Sequence, residues 1–113
     1  PGPMRCCIYF ADEKVREAFE ALRDSQRGEE RQLSALLDRA IDRIAENAFC
    51  GVQVPKYLIP KEYHQKYGPL HNLWKFNLSR KWRQMYTVAS DGYTIAVIIE
   101  WLDRTEYDRR FGY

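Results

Sequence analysis

The hydrophobic positions in the first half of the chain repeat with a helical period. Apolar side chains at intervals of three or four predict a helix over residues 30–48: Leu33, Leu36, Leu37, Ala40, Ile41, Ile44, Ala45 and Ala48. A shorter stripe predicts an earlier helix that Asp12 caps, and Gly28 separates the two helices. Residues 4–10, which precede them, are predicted as a strand.

The second half changes to the alternating pattern that is typical of β-strands. Strands are predicted over residues 72–78, 82–89 and 93–101, and Asp91-Gly92 is a typical tight-turn sequence before the last of them.

Two shorter segments complete the pattern. Residues 51–69 are rich in proline and are predicted as a connector, with one helical turn at residues 61–67. Asp103, followed three residues later by Glu106, resembles a capping box and predicts a short terminal helix.

This order of elements predicts an α+β fold. We expect a small, mostly antiparallel four-stranded sheet, two N-terminal helices packed on one of its faces, a short C-terminal helix, and an open second face. The chain has 113 residues, enough for one core, so residues 4–113 are interpreted as a single domain. Pro1-Gly2-Pro3 is interpreted as a cloning remnant.

The connection between the first two late strands decides which of their side chains share a sheet face. A two-residue loop would place Phe76 opposite Arg83 and bury the arginine among aromatic side chains. A three-residue loop, residues 79–81, places Asn77 opposite Arg83. We therefore predict that Lys75, Asn77 and Arg83 share the open face.

Strict alternation predicts the faces of the last strand. It assigns Tyr93, Ile95, Val97, Ile99 and Trp101 to the helices. It assigns Glu100 to the open face, where we expect it to pair with Arg83.

The net charge of +2 conceals an uneven distribution. Residues 49–90 carry seven basic side chains and one acidic one, while residues 1–48 and 91–113 each have a net charge of −2. A basic block of this kind attracts phosphate. The three cysteines form no disulfide pattern, and neither a signal peptide nor an apolar run of membrane-spanning length is recognised, so we expect a reduced cytoplasmic protein.

The sequence lacks the motifs of several common functional sites. His64 and His71 have no partners at zinc-ligand spacing, so we expect neither a metal nor a cofactor. A glycine-rich phosphate loop is missing. A Gly-x-Ser-x-Gly elbow is missing as well, which leaves acyl transfer without support.

Three segments near the C-terminus resemble the RelE branch of the RelE/ParE toxin superfamily. They are NLWKFNL at residues 72–78, WRQMYTV at residues 82–88 and DRTEYDRRF at residues 103–111. The two helices that precede them agree in position and character. The resemblance implies a small sheet flanked by helices.

The resemblance also implies a toxin of a type II toxin–antitoxin system. RelE-like members are endoribonucleases that enter the ribosomal A site and cleave mRNA without a metal. The ribose 2′-hydroxyl attacks the adjacent phosphate. A cognate antitoxin wraps around the toxin, and the pair commonly represses its own promoter, so the implied partners are an antitoxin, the ribosome and mRNA.

Four residues carry over as catalytic candidates: Lys75, Arg83, Arg104 and Tyr107. Arg83 matches a strand arginine expected to hold the scissile phosphate and to offset charge in the transition state. Tyr107 matches a tyrosine expected to stack on a base or to orient the 2′-hydroxyl. The substrate-binding candidates are Asn77, Arg80, Lys81, Arg109 and Arg110.

Two positions depart from the family pattern. Asn77 stands where some active members carry a second lysine, and Arg104 stands where many relatives have histidine, the usual general base. Because arginine stays protonated, the base would be Lys75 with a depressed pKa, Glu100 or Tyr107. Alternatively, alignment and charge stabilisation supply most of the rate.

Two other functions are compatible with the sequence. A ParE-like member would inhibit DNA gyrase by protein contact and would not need the four catalytic candidates to converge. A catalytically inactive member would act only as an antitoxin-bound repressor partner, and the histidine missing at position 104 is consistent with that function.

Overall fold

The computed structural model describes residues 6–112 and has the α+β architecture expected from the sequence. Its strands are β1 (Cys7–Phe10), β2 (Val52–Gln53), β3 (Trp74–Asn77), β4 (Trp82–Ser90) and β5 (Thr94–Asp103). Its α-helices are α1 (Glu13–Asp24), α2 (Gly28–Glu46), α3 (Lys61–Tyr67) and α4 (Arg104–Phe111), and a short 3-10 helix covers Lys56–Leu58. Pro1-Gly2-Pro3 and the start of the predicted strand 4–10 lie outside the described residues.

The two predicted capping residues lie at the starts of α1 and α4. Asp12 Oδ1 accepts a hydrogen bond from the Val15 amide at 2.9 Å, and Asp103 Oδ1 accepts one from the Glu106 amide at 2.8 Å. Each bond satisfies an amide that the first helical turn leaves unpaired. Since β5 ends at Asp103 and α4 begins at the next residue, this cap fixes where the helix leaves the sheet.

The described sheet has five strands, in the order β1-β5-β4-β3-β2, rather than the four expected. It is mixed, because β1 runs parallel to β5 while the other three pairings are antiparallel. The sequence does not predict β2, since two residues are too few to show an alternating pattern.

Helices α1 and α2 cover one side of the sheet, here called the helix face. Their apolar stripes contact residues of β4 and β5: Val15, Phe19, Leu33, Leu37 and Ile44 from the helices, and Tyr86, Ala96, Ile98 and Trp101 from the strands. The predicted packing of two N-terminal helices on one face is confirmed.

The opposite side, here called the α4 face, is less open than predicted. The connector after β2, together with α3 and α4, covers its centre, where Tyr63, Leu73, Met85 and Ile99 are almost completely buried. Lys75, which pairs with Met85 across the β3–β4 hairpin, is half-buried beside this core.

A β-bulge in β5 changes which of its residues face the helices. Met85 pairs with Glu100 but the next residue, Tyr86, pairs with Ile98, so Ile99 is an extra residue. Ile98 therefore packs on the helix face and Ile99 on the α4 face. Trp101 packs on the helix face as predicted, but Ile99 does not, because the extra residue breaks the strict alternation. Before the bulge, Ile95 and Val97 lie opposite Ala89 and Thr87, on the same side as Ile99, so their predicted face is wrong.

Tyr86 of β4 connects the sheet to the segment that follows α2. Its buried hydroxyl donates a hydrogen bond to the Ala48 carbonyl at 2.8 Å and accepts one from the Gly51 amide at 3.1 Å. Burial raises the pKa of Tyr86, so the hydroxyl keeps its proton for these bonds. A Cβ at Gly51 would lie 2.6 Å from Tyr86 Oη and 2.7 Å from the Lys75 carbonyl oxygen, so only glycine fits here.

We predict that Tyr86→Phe lowers the free energy of unfolding by about 1–3 kcal/mol. The ring keeps its packing, but the Ala48 carbonyl and the Gly51 amide lose their partner. Urea denaturation measures the change, with Tyr57→Phe as the control because Tyr57 is 86% exposed. Equal stability of Tyr86→Phe and the parent would show that these bonds do not anchor the fold.

Candidate phosphate-binding site

The hairpin between β3 and β4 has the predicted register. Asn77 pairs with Arg83 across a three-residue loop, so Lys75, Asn77 and Arg83 share the α4 face. Ser79 supports this loop, which has no glycine, because its Oγ accepts bonds from the Lys81 and Trp82 amides, both at 3.2 Å.

Arg83 closes the same loop with its own side chain. Nη1 donates to the carbonyls of Ser79 at 2.8 Å, Arg80 at 3.1 Å and Trp82 at 3.2 Å. The hydrogen bonds that Arg83 makes within residues 6–112 all come from Nη1. The guanidinium is thus held in place while Nε and Nη2 can donate to a ligand.

The ring of Tyr107 brings the cations of β3 and β4 together. Lys75 Nζ lies 5.0 Å and Arg83 Cζ 5.8 Å from the ring centroid, within the range of a cation–π contact. Phe111, one turn later on α4, stacks on Tyr107 with 4.4 Å between centroids and 24° between ring planes. Phe111 and the two cations thus all contact the ring of Tyr107.

Lys75, Arg80, Lys81 and Arg83, here called the cationic cluster, have no neutralising partner among residues 6–112. No carboxylate oxygen of those residues lies within 4.0 Å of their charged nitrogens. Five arginines elsewhere in the fold pair with acids: Arg16, Arg27, Arg104, Arg109 and Arg110. Arg23, Arg31, Arg39 and Arg43 of α1 and α2 have no ion pair among residues 6–112 either. The cationic cluster differs from them because its four residues lie on one hairpin, where an anion can approach.

Three of the predicted substrate-binding residues lie in or beside the hairpin loop. Asn77 is exposed beside Arg83, and Arg80 and Lys81 are exposed in the loop, with Lys81 Nζ 5.8 Å from the Trp82 ring centroid. These three residues can contact a chain that passes over the hairpin.

Arg104 and Arg109 are on α4 and pair with acids of the same helix. The Arg104 side chain is 71% exposed and its Nε lies 3.9 Å from Asp108 Oδ2. Arg109 Nε donates to Glu106 Oε2 at 3.1 Å. The structure thus brings three of the four catalytic candidates together and places Arg104 outside that contact.

Glu100 pairs with Arg110, so its predicted pairing with Arg83 is wrong. Arg83 lies opposite Leu102 in β5, whereas Glu100 lies opposite Met85, further from the hairpin loop. Glu100 Oε2 accepts a hydrogen bond from Arg110 Nη1. Both side chains are about one-fifth exposed, so this ion pair belongs to the protein's interior rather than to its surface.

Two residues contribute to the site although neither was predicted as a site residue. Phe111 supports Tyr107, and the signal that could have found it is the spacing of four residues on one helix. Ser79 supports the loop, and the signal is a serine in a three-residue turn without glycine.

No protein-family model, curated protein or solved structure matches the chain. Residues 6–112 contain no group of three or more His, Cys, Asp or Glu side chains that could hold a metal ion. None of the described helices is long and apolar enough to cross a membrane. Chemically, the cationic cluster offers fixed hydrogen-bond donors and positive charge to a phosphate.

We predict that single-stranded RNA binds the cationic cluster with a strong salt dependence. Four phosphate contacts give a slope of log K against log [salt] of about −3, since each contributes about −0.7 for a single strand. Fluorescence anisotropy at several salt concentrations measures the slope. Lys75→Met should reduce it by about 0.7, whereas Lys14→Met, on the exposed side of α1, should leave it unchanged. Equal effects of the two variants would contradict a localised site.

Proposed function

We propose that the protein is a metal-independent endoribonuclease, the toxin of a type II toxin–antitoxin system, which cleaves mRNA on the ribosome in the cytoplasm. The observation that carries this proposal is the placement of Lys75 and Arg83 over the ring of Tyr107, with no acidic partner among residues 6–112. All three residues lie in the segments that resemble RelE-like toxins.

In the proposed reaction the ribose 2′-hydroxyl attacks the adjacent phosphorus. A pentacoordinate phosphorane forms, the bond to the 5′-oxygen breaks, and a 2′,3′-cyclic phosphate remains. Nε and Nη2 of Arg83 donate to a non-bridging oxygen, and Lys75 stabilises the added negative charge. Because Arg83 is already held by the loop carbonyls, these donors need little reorganisation when charge develops.

Proton transfer in this proposal does not use a histidine. Glu100 is bound by Arg110, and Arg104, paired with Asp108, stays protonated. Lys75, as an ammonium, donates a proton to the leaving 5′-oxygen, and water accepts the proton of the 2′-hydroxyl. Most of the rate then comes from charge stabilisation and from alignment of the mRNA by the ribosome.

The proposed function also implies a protein partner that neutralises the toxin. A cognate antitoxin would have to cover or displace the cationic cluster to neutralise the toxin. A ParE-like gyrase inhibitor would act through protein contact and would have no use for Lys75 and Arg83 placed over one ring.

We predict that the parent protein cuts mRNA within translated codons and that Arg83→Ala lowers the cleavage rate by about 100- to 1000-fold. The expected loss reflects removal of a fixed donor to the phosphorane. Primer extension in a cell-free translation system, with and without added protein, detects the cuts, and mass spectrometry of the ends detects the cyclic phosphate.

Arg16→Ala is the matched control, since this arginine of α1 pairs with Glu13 and Glu20. It should cleave like the parent. Intact mRNA with the parent protein would contradict the nuclease proposal and direct attention to a gyrase supercoiling assay. Full cleavage by a folded Arg83→Ala variant would contradict the role given to Arg83.

A further inference from the structure

Arg110 is the centre of an ion-pair network that joins three elements. Its Nη1 donates to Glu100 of β5, its Nε lies 3.5 Å from Glu62 Oε2 of α3, and its Nη2 lies 3.4 Å from Glu106 Oε1 of α4. The side chain is only 20% exposed. The sequence predicted Arg110 as a substrate-binding residue, but its guanidinium contacts carboxylates of the protein itself.

A row of aromatic rings leads from Arg110 to the cationic cluster. Arg110 Cζ lies 5.7 Å from the ring centroid of Tyr63, which is almost completely buried. Tyr63 lies 6.2 Å from Phe111, and Phe111 stacks at 4.4 Å on Tyr107. Lys75 and Arg83 contact the ring of Tyr107 at the far end of this row.

The guanidinium of Arg110 stays charged in this setting. Burial works against the charged form, but Glu100 and the other neighbours more than offset it, so the pKa of Arg110 is raised. A buried ion pair of this kind is sensitive to loss of one partner, because the other charge then stays in the interior without compensation.

Helix α4 has only eight residues, and its two ends are held differently. The Asp103 cap fixes its first turn to the end of β5, and Arg110 fixes its last turn to β5 and α3. Tyr107 lies between these two attachments and Phe111 next to the second. Release of the last turn would remove the support that Phe111 gives to the Tyr107 ring.

We propose that Arg110 is a positioning residue which acts through Phe111 to hold the Tyr107 ring beneath Lys75 and Arg83. The inference deepens the proposed function, since the catalytic consequence depends on RNA cleavage by the parent protein. The position of the Tyr107 ring can be measured whether or not the protein cleaves RNA.

The test measures the ring-current shift of the Lys75 ε-methylene protons by NMR. Because Lys75 Nζ lies 5.0 Å from the Tyr107 ring centroid, we expect these protons to resonate upfield in the parent, and Tyr107→Leu gives the reference value without the ring. In Arg110→Met the resonance should move towards that reference, and Arg110→Lys should restore part of the upfield shift because a lysine can still pair with Glu100. Arg16→Met, which removes an ion-paired arginine from α1, should leave the shift unchanged.

An upfield shift in Arg110→Met equal to that of the parent would overturn the proposal. If loss of the partner of Glu100 prevents folding, Arg110→Met combined with Glu100→Met removes both charges, and the same criterion applies to this double variant.

Cleavage kinetics distinguish a failure of this inference from a failure of the proposed function. With an active parent, folded Arg110→Met should lower kcat by about 10- to 100-fold at unchanged KM, and should add little in a Tyr107→Leu background. A parent that cleaves no RNA would contradict the proposed function, while the NMR result would still decide the position of Tyr107.

Discussion

The three-residue connection between β3 and β4 is the constraint on which the candidate site depends. Because side chains alternate along a strand, a shift of one residue would turn Arg83 onto the helix face, among aromatic side chains. The Ser79 hydroxyl and Arg83 Nη1 both bind backbone groups of this loop and so hold its length. The residue that offers charge to a ligand therefore also stabilises the turn that orients it.

Basic side chains meet α4 in two different electrostatic settings. At its C-terminal end the charge of Arg110 is offset by three carboxylates of the protein itself, although Nε makes no hydrogen bond within residues 6–112. At the middle of the helix, Lys75 and Arg83 lie over the ring of Tyr107 without an acid among residues 6–112, and each gains about 0.5–2 kcal/mol from this contact. A bound phosphate would supply the missing negative charge, which is the arrangement expected of a ligand site rather than of a stability device.

Local patterns predicted the parts of the structure that depend on neighbouring residues, such as the Asp12 and Asp103 caps and the hairpin register. The bulge at Ile99 could not be predicted, because a continuous apolar run shows no break in alternation where the extra residue lies. The partner of Glu100 could not be predicted either, since the choice between two arginines depends on the bulge and on the direction of α4. Tyr107 was selected only through the resemblance, and its burial against Phe111 required the fold.

Lys75 and Arg83 should bind one phosphate together, and an NMR titration measures whether they do. The ligand is a short RNA with a 2′-O-methyl group at every ribose, which cannot be cleaved, and the resonances followed are Arg83 Nε–Hε and the Lys75 ε-methylene. We expect both to shift along one binding curve, and the Lys75 response to disappear in Arg83→Ala. Shifts confined to other parts of the protein, or a Lys75 response that Arg83→Ala leaves unchanged, would show that the two residues do not share a phosphate.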